Sequence, residues 1–98
     1  EIAIYTFGKT IFSNLFDFSG FDSVAFSPDS KVLAANDNQD IKLWDVETGI
    51  EIVKLSGHSD KVTCVAFNPN NEKILASSSY DKTIKLWNLN TGQLINTL

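Results

Sequence analysis

The sequence predicts an all-β chain built from repeated units of four antiparallel strands, and three observations carry that prediction. Ile41-Lys42-Leu43-Trp44-Asp45-Val46-Glu47-Thr48-Gly49 returns 43 positions later as Ile84-Lys85-Leu86-Trp87-Asn88-Leu89-Asn90-Thr91-Gly92, with six of nine residues identical. Each copy opens on alternating side chains, Ile and Leu to one face and Lys and Trp to the other, the period of a strand. Each then breaks at Asp or Asn, Thr and Gly, residues suited to tight turns and left-handed backbone. Elsewhere, Gly, Asn, Asp and Ser recur between short apolar runs.

The repeat extends outward from the two Trp residues. Val24-Ala25-Phe26-Ser27-Pro28-Asp29 matches Val65-Ala66-Phe67-Asn68-Pro69-Asn70, and Lys31-Val32-Leu33-Ala34 matches Lys73-Ile74-Leu75-Ala76. The offset is 41 at the Phe residues and 43 at the Trp residues, so the first unit is one residue shorter after Pro28 and one shorter near Asn36–Asp40. Both gaps fall where turns are expected. Residues 21–55 therefore form one unit and residues 56–98 a second.

Within each unit the first strand lies near Phe21–Ser27 or Val62–Asn68, where Pro then removes a ladder donor. A second strand lies near Lys31–Asn36 or Lys73–Ser78. The third carries the Trp, and the fourth, Ile50–Leu55 or Gln93–Leu98, follows the Thr-Gly turn. Connections this short pair neighbours antiparallel, as a meander. In residues 1–20, Ile2-Ala3-Ile4-Tyr5 falls on Ile84-Lys85-Leu86-Trp87 and Gly8-Lys9 on Gly92-Gln93. That reads as a degenerate half unit with Tyr5 in the Trp place; an unrelated N-terminal hairpin is the alternative.

The chain has 98 residues, 43% of them hydrophobic and 20% charged, enough for a core under a solvated surface. No apolar run approaches the roughly 20 residues that span a bilayer, so no membrane role is expected. Absence of Met suggests an excerpt of a longer polypeptide. Net charge is −4, with eight Lys and no Arg. Residues 1–55 carry four Lys against nine acids, residues 56–98 four against three. No basic stripe of the kind that binds phosphate backbones is visible, so direct nucleic-acid binding is not expected. Cys64 stands alone, which excludes an internal disulfide and points to a reducing, intracellular and cytoplasmic setting. Its neighbours Val62, Val65 and Phe67 predict a buried thiol.

Gly57-His58, Val62 through Pro69, Ala76-Ser77-Ser78-Ser79-Tyr80-Asp81 and Leu86-Trp87-Asn88 together resemble a Trp-Asp (WD) repeat. Leu43-Trp44-Asp45 carries the family's naming dipeptide in the other unit. The resemblance covers residues 21–98 well and 1–20 weakly. It implies a β-propeller whose blades are four-stranded antiparallel sheets: a degenerate half blade over 1–20, one blade over 21–55 and another over 56–98. It also implies a hydrogen-bond network of His58, Ser77, Asp81 and Trp87 inside the second blade. The first unit lacks Gly-His, has Ala35 in the place of Ser77 and shortens the turn around Asp37. Only Trp44 is retained there, so the first blade is expected to be the looser.

Two and a half blades cannot close a ring of four to eight. Faces carrying Ile41, Leu43, Ile84 and Leu86, or their Trp-side neighbours, would stay open unless covered by remaining blades of the same polypeptide or by copies of the chain.

Ser, His and Asp invite a hydrolase reading, but there is no Gly-x-Ser-x-Gly elbow and each residue already has a place in the repeat. His58, Asp60 and Cys64 lack metal-ligand spacing. Asp37, Asn38 and Asp40 resemble a calcium-loop fragment without its Gly and final Glu. The five glycines stand singly, so no phosphate loop or cofactor is expected. The expected function is a non-catalytic scaffold binding proteins or peptides. The alternative is a regulatory or sensor propeller domain of a multidomain enzyme. The resemblance places partner binding on turn residues of the rim, here Lys61, Thr63 and Tyr80.

Overall fold

A computed structural model describes residues 23–98. The half blade expected over 1–20, with Tyr5, lies outside the described residues. The described part is two four-stranded antiparallel sheets, each a meander in chain order. The first contains β1 (Val24–Phe26), β2 (Val32–Asp37), β3 (Asp40–Asp45) and β4 (Glu51–Ser56). The second contains β5 (Val62–Asn68), β6 (Asn71–Ser79), β7 (Ile84–Asn88) and β8 (Gln93–Thr97). No helix occurs among the described residues.

Registers place Val32 opposite Asp45 and Ile74 opposite Asn88, so the two units superpose pair by pair. They diverge at the turns, as the sequence gaps require. Asp37 pairs with Asp40 across a two-residue turn whose Asn38 takes φ 56°, a left-handed conformation Asn tolerates. The equivalent turn of the second unit is longer and has Lys82 at φ 71°. β6 begins two residues before the expected Lys73, because a bulge near Asn68 lets it pair with Asn71 across Pro69-Asn70. Gly49 and Gly92, both at φ 73°, close the Trp-strand turns where a side chain would be strained.

The two sheets pack face to face. Ala34, Ile41, Leu43 and Leu55 of the first sheet share one cluster with Val62, Val65, Leu75 and Trp87 of the second. Trp44, Leu33, Ala35 and Val46 cluster on the other face of the first sheet. Each Trp thus lies opposite the Ile/Leu face of its own sheet, and Trp87 turns toward the sheet that precedes it.

Burial departs from expectation at the Ile41–Leu43 face and at Cys64. In the first sheet four consecutive β2 residues, Leu33 to Asn36, are at 0% exposure. Ile41 and Leu43 are covered by the second sheet, whereas the repeat-equivalent Ile84 is 45% exposed. Cys64 is exposed, because a register shift between Val62 and Cys64 sends it to the face away from the first sheet.

The polar seam between the sheets was not foreseen from sequence. Asn36 occupies the place that Ser78 occupies in the second unit. Its amide donates 2.7 Å to the carbonyl of Val62, and its side-chain oxygen accepts the Ser23 N–H at 3.0 Å. The Val62 N–H returns to the Asn38 carbonyl at 2.7 Å, and Val65 N–H reaches Ser23 Oγ at 3.2 Å. Gln39 adds a bond to the Ser59 carbonyl at 3.0 Å.

Candidate protein-interaction rim

One end of the second sheet is fixed by a chain of four side chains. Trp87 Nε1 donates to Ser77 Oγ at 2.9 Å, Ser77 Oγ lies 2.7 Å from His58 Nε2, and His58 Nδ1 lies 2.9 Å from Asp81 Oδ2. Donors and acceptors alternate consistently. A carboxylate only accepts, so Nδ1 carries the ring proton; in the neutral ring Nε2 then accepts from the Ser77 hydroxyl, which itself accepts from the indole. His58, Ser77 and Trp87 are buried.

Local structure explains why these residues meet. Ser77 and Trp87 sit on neighbouring strands and point to the same face, with Leu75 opposite Trp87 and Ser77 opposite Lys85. His58 arrives from the β4–β5 connection, where a Cβ on Gly57 would stand 3.0 Å from Trp87 Cη2. Glycine lets the backbone lie that close to the buried indole without displacing the ring. His58 meets the Trp87 ring edge-on, with centroids 6.4 Å apart.

Asp81 joins this interior to the rim. Its Oδ2 also accepts the Ser59 N–H at 3.0 Å, and its Oδ1 accepts Thr83 N–H and Oγ1 at 2.9 and 2.6 Å. Burial pushes the carboxyl up, but hydrogen bonds from Thr83, His58 and the backbone of Ser59 outweigh it and hold Asp81 well below the usual carboxylate range. One carboxylate therefore ties the 57–61 connection to the 80–83 turn.

The residues expected at the rim come together there. Tyr80 N–H donates to the Lys61 carbonyl at 3.0 Å, across the ends of β5 and β6. The Tyr80 side chain is 65% exposed. Thr63 Oγ1 pairs with Ser78 Oγ at 2.9 Å, so its hydroxyl is partly engaged. Ser79 Oγ donates to the Asp60 carbonyl at 3.0 Å, closing the same corner. Tyr80 stands out on a hydrogen-bonded base, an arrangement suited to an interface anchor.

The Asp81–His58–Ser77 geometry has the order of a nucleophilic triad, but the nucleophile position is closed. Ser77 is 1% exposed, and its oxygen already accepts a hydrogen bond from the indole N–H. A triad serine must reach a substrate carbonyl beside oxyanion donors. No group of three or more His, Cys, Asp or Glu suited to a metal occurs among the described residues. Asp37 and Asp40 instead pair with Lys42 and Lys54, at 3.2 and 3.5 Å. In the first unit Ala35 stands where Ser77 would be, and Trp44 packs with Leu33 and Val46. No helix among the described residues is long and apolar enough to cross a membrane.

Comparison with known proteins agrees with this architecture. The family described as "WD domain, G-beta repeat" matches residues 15–45 and 49–88. The chain belongs to the WD-repeat family, and its two sheets are blades of the β-propeller type. It is 42% identical over 71 residues to periodic tryptophan protein 2 of Saccharomyces cerevisiae, covering 70% of this chain and 8% of that protein. It is 34% identical over 90 residues to an uncharacterised WD repeat-containing protein of Synechocystis, covering 92% and 26%. A Schizosaccharomyces pombe relative, target of rapamycin complex subunit wat1, is 37% identical over 73 residues, covering 72% and 23%. The solved structure of U3-55K matches 86% of this chain and 28% of its own, with TM-score 0.76 and 25% identity. The chain thus spans about a quarter or less of these relatives' length.

Proposed function

We propose that the chain is a non-catalytic protein–protein interaction scaffold, two blades of a β-propeller that present the Lys61–Thr63–Tyr80 rim to a protein or peptide. One observation carries the reading: an exposed tyrosine stands on a corner that the Asp81 carboxylate braces from a buried network. Binding to a preformed rim avoids much of the ordering cost that weakens flexible sites. The relative named as a complex subunit supports the same class of role. The closed Ser77 hydroxyl supports a structural rather than hydrolytic use of the Ser, His and Asp.

The test places a photo-crosslinking amino acid at position 80 of the full-length protein. A defined protein adduct is expected, and Lys61→Glu should abolish or redirect it. No adduct from position 80, with adducts from another surface, would overturn the assignment. Ester or peptide turnover that disappears in Ser77→Ala would overturn the non-catalytic reading.

A further inference from the structure

At the end opposite the rim, the two sheets part around a cavity of about 240 Å³. Its apolar lining comes from both sheets, with Leu43, Ile52 and Val53 facing Leu89. Around them stand Asp29, Asp45, Glu72, Lys31 and Lys73, and none of the five forms an ion pair among the described residues. The volume is below the roughly 300–1,000 Å³ of small-molecule sites, so it suits a single large side chain rather than a nucleotide or cofactor.

Two of the carboxylates are held in position before anything binds. Asp29 Oδ1 accepts from Ser27 Oγ at 2.6 Å and from the Lys31 N–H at 3.0 Å. Asp45 Oδ1 accepts the N–H groups of Glu47 and Thr48 at 2.9 and 3.0 Å. The Oδ2 atom of each receives no hydrogen bond from another residue among the described ones. A fixed carboxylate with one oxygen engaged is a ready acceptor for a planar, multi-donor cation. Ile52, in the outer strand β4, lines the mouth and is 54% exposed, and Ile50, just before that strand, is 66% exposed.

We propose that this inter-sheet cavity is a second docking site, for an extended segment of a partner protein that places an arginine side chain in the cavity and an adjacent aliphatic residue on Ile50 and Ile52. The arginine stem packs on Val53 and Leu89, and the guanidinium meets the free Oδ2 atoms of Asp29 and Asp45. Carboxylates outnumber lysines three to two in the lining, and the chain as a whole carries −4. Both favour a basic occupant over an acidic one. The site rests on the scaffold reading only for the class of partner; it shares no residue with the rim.

The test uses the full-length protein and three fluorescent peptides identical except for one central residue: Leu-Arg-Leu, Leu-Gln-Leu or Leu-Glu-Leu within a neutral frame. Fluorescence polarisation should give at least tenfold tighter binding for the Arg peptide than for the Gln peptide, with the advantage shrinking at high salt. Asp29→Asn combined with Asp45→Asn keeps the acceptor oxygens of both turns and should erase the Arg preference. Tyr80→Ala should leave it unchanged, and its effect on rim crosslinking reads the other site separately. Equal binding of the Arg and Gln peptides, preference for Glu, or no binding at about 1 mM would each overturn the proposal. The peptide comparison in the unsubstituted protein decides the matter even if the double variant fails to fold.

Discussion

The two sheets have the same strands in the same register, yet they are held by different means. The second carries its own polar interior, from Trp87 through Ser77 and His58 to Asp81. The first has Ala35 where Ser77 stands and draws its polar anchorage from across the seam, through Asn36 to the Val62 carbonyl and Asn38 to the Val62 N–H. A blade without the Ser77 hydroxyl can thus remain buried while a neighbouring sheet satisfies part of its polar interior. The dependence is unequal: Val62 and Val65 also donate to Asn38 and Ser23 of the first sheet, but the connection leading to Val62 is positioned within the second sheet, by His58 and Ser59 on Asp81.

The largest break in this comparison should come from Trp87→Ala. It empties the middle of the inter-sheet cluster and removes the indole donor from Ser77 Oγ. Large-to-small truncation of a buried aromatic costs about 3–5 kcal/mol, and chemical denaturation should show both sheets weakened. Next come His58→Ala and Asn36→Ala. Each leaves buried partners unsatisfied, at a cost of about 1–3 kcal/mol, so equilibrium unfolding should register both. Gly57→Ala falls in a similar range, about 1–3 kcal/mol for overpacking, since its new methyl meets a buried indole that has little room to retreat. Near-UV circular dichroism at the Trp band would register that shift.

Asp81 sharpens the comparison through pH. Its carboxyl titrates below the ordinary value of 3.8, so it contributes stability that is present above about that pH. As pH falls toward the lower folded value the contribution is lost. Melting temperature should therefore drop between about pH 4 and pH 2, and Asp81→Asn should flatten that part of the profile. The smallest effect should be Asp37→Ala. It removes a half-exposed ion pair with Lys42, worth about 0–1 kcal/mol, and a double-mutant cycle with Lys42→Ala should give a coupling in that range.

Most of the architecture was legible because repeated residues impose repeated strands. The Trp strands, the Thr-Gly turns and the two length differences all follow from local chemistry that acts within one unit. The four residues of the second-unit network are brought together, and so are Lys61, Thr63 and Tyr80. Burial was less legible, because it depends on which sheet lies next door. Val62, Val65 and Phe67 predicted a buried Cys64, but a single register shift reverses the side that the thiol faces. The seam was missed for the same reason. Its one visible signal was Asn36, a poor strand residue at a position where the other unit has Ser78.

Native-state hydrogen exchange on the full-length protein tests this unequal dependence most directly, by following amides of β2 and β3 alongside those of β6 and β7. His58→Ala should raise exchange in both sheets, because the Val62 anchor of the first sheet depends on the second. Asn36→Ala should raise exchange in β2 and β3 and leave β6 and β7 protected. A His58→Ala effect confined to the second sheet, or an Asn36→Ala effect that spreads equally to both, would contradict the account.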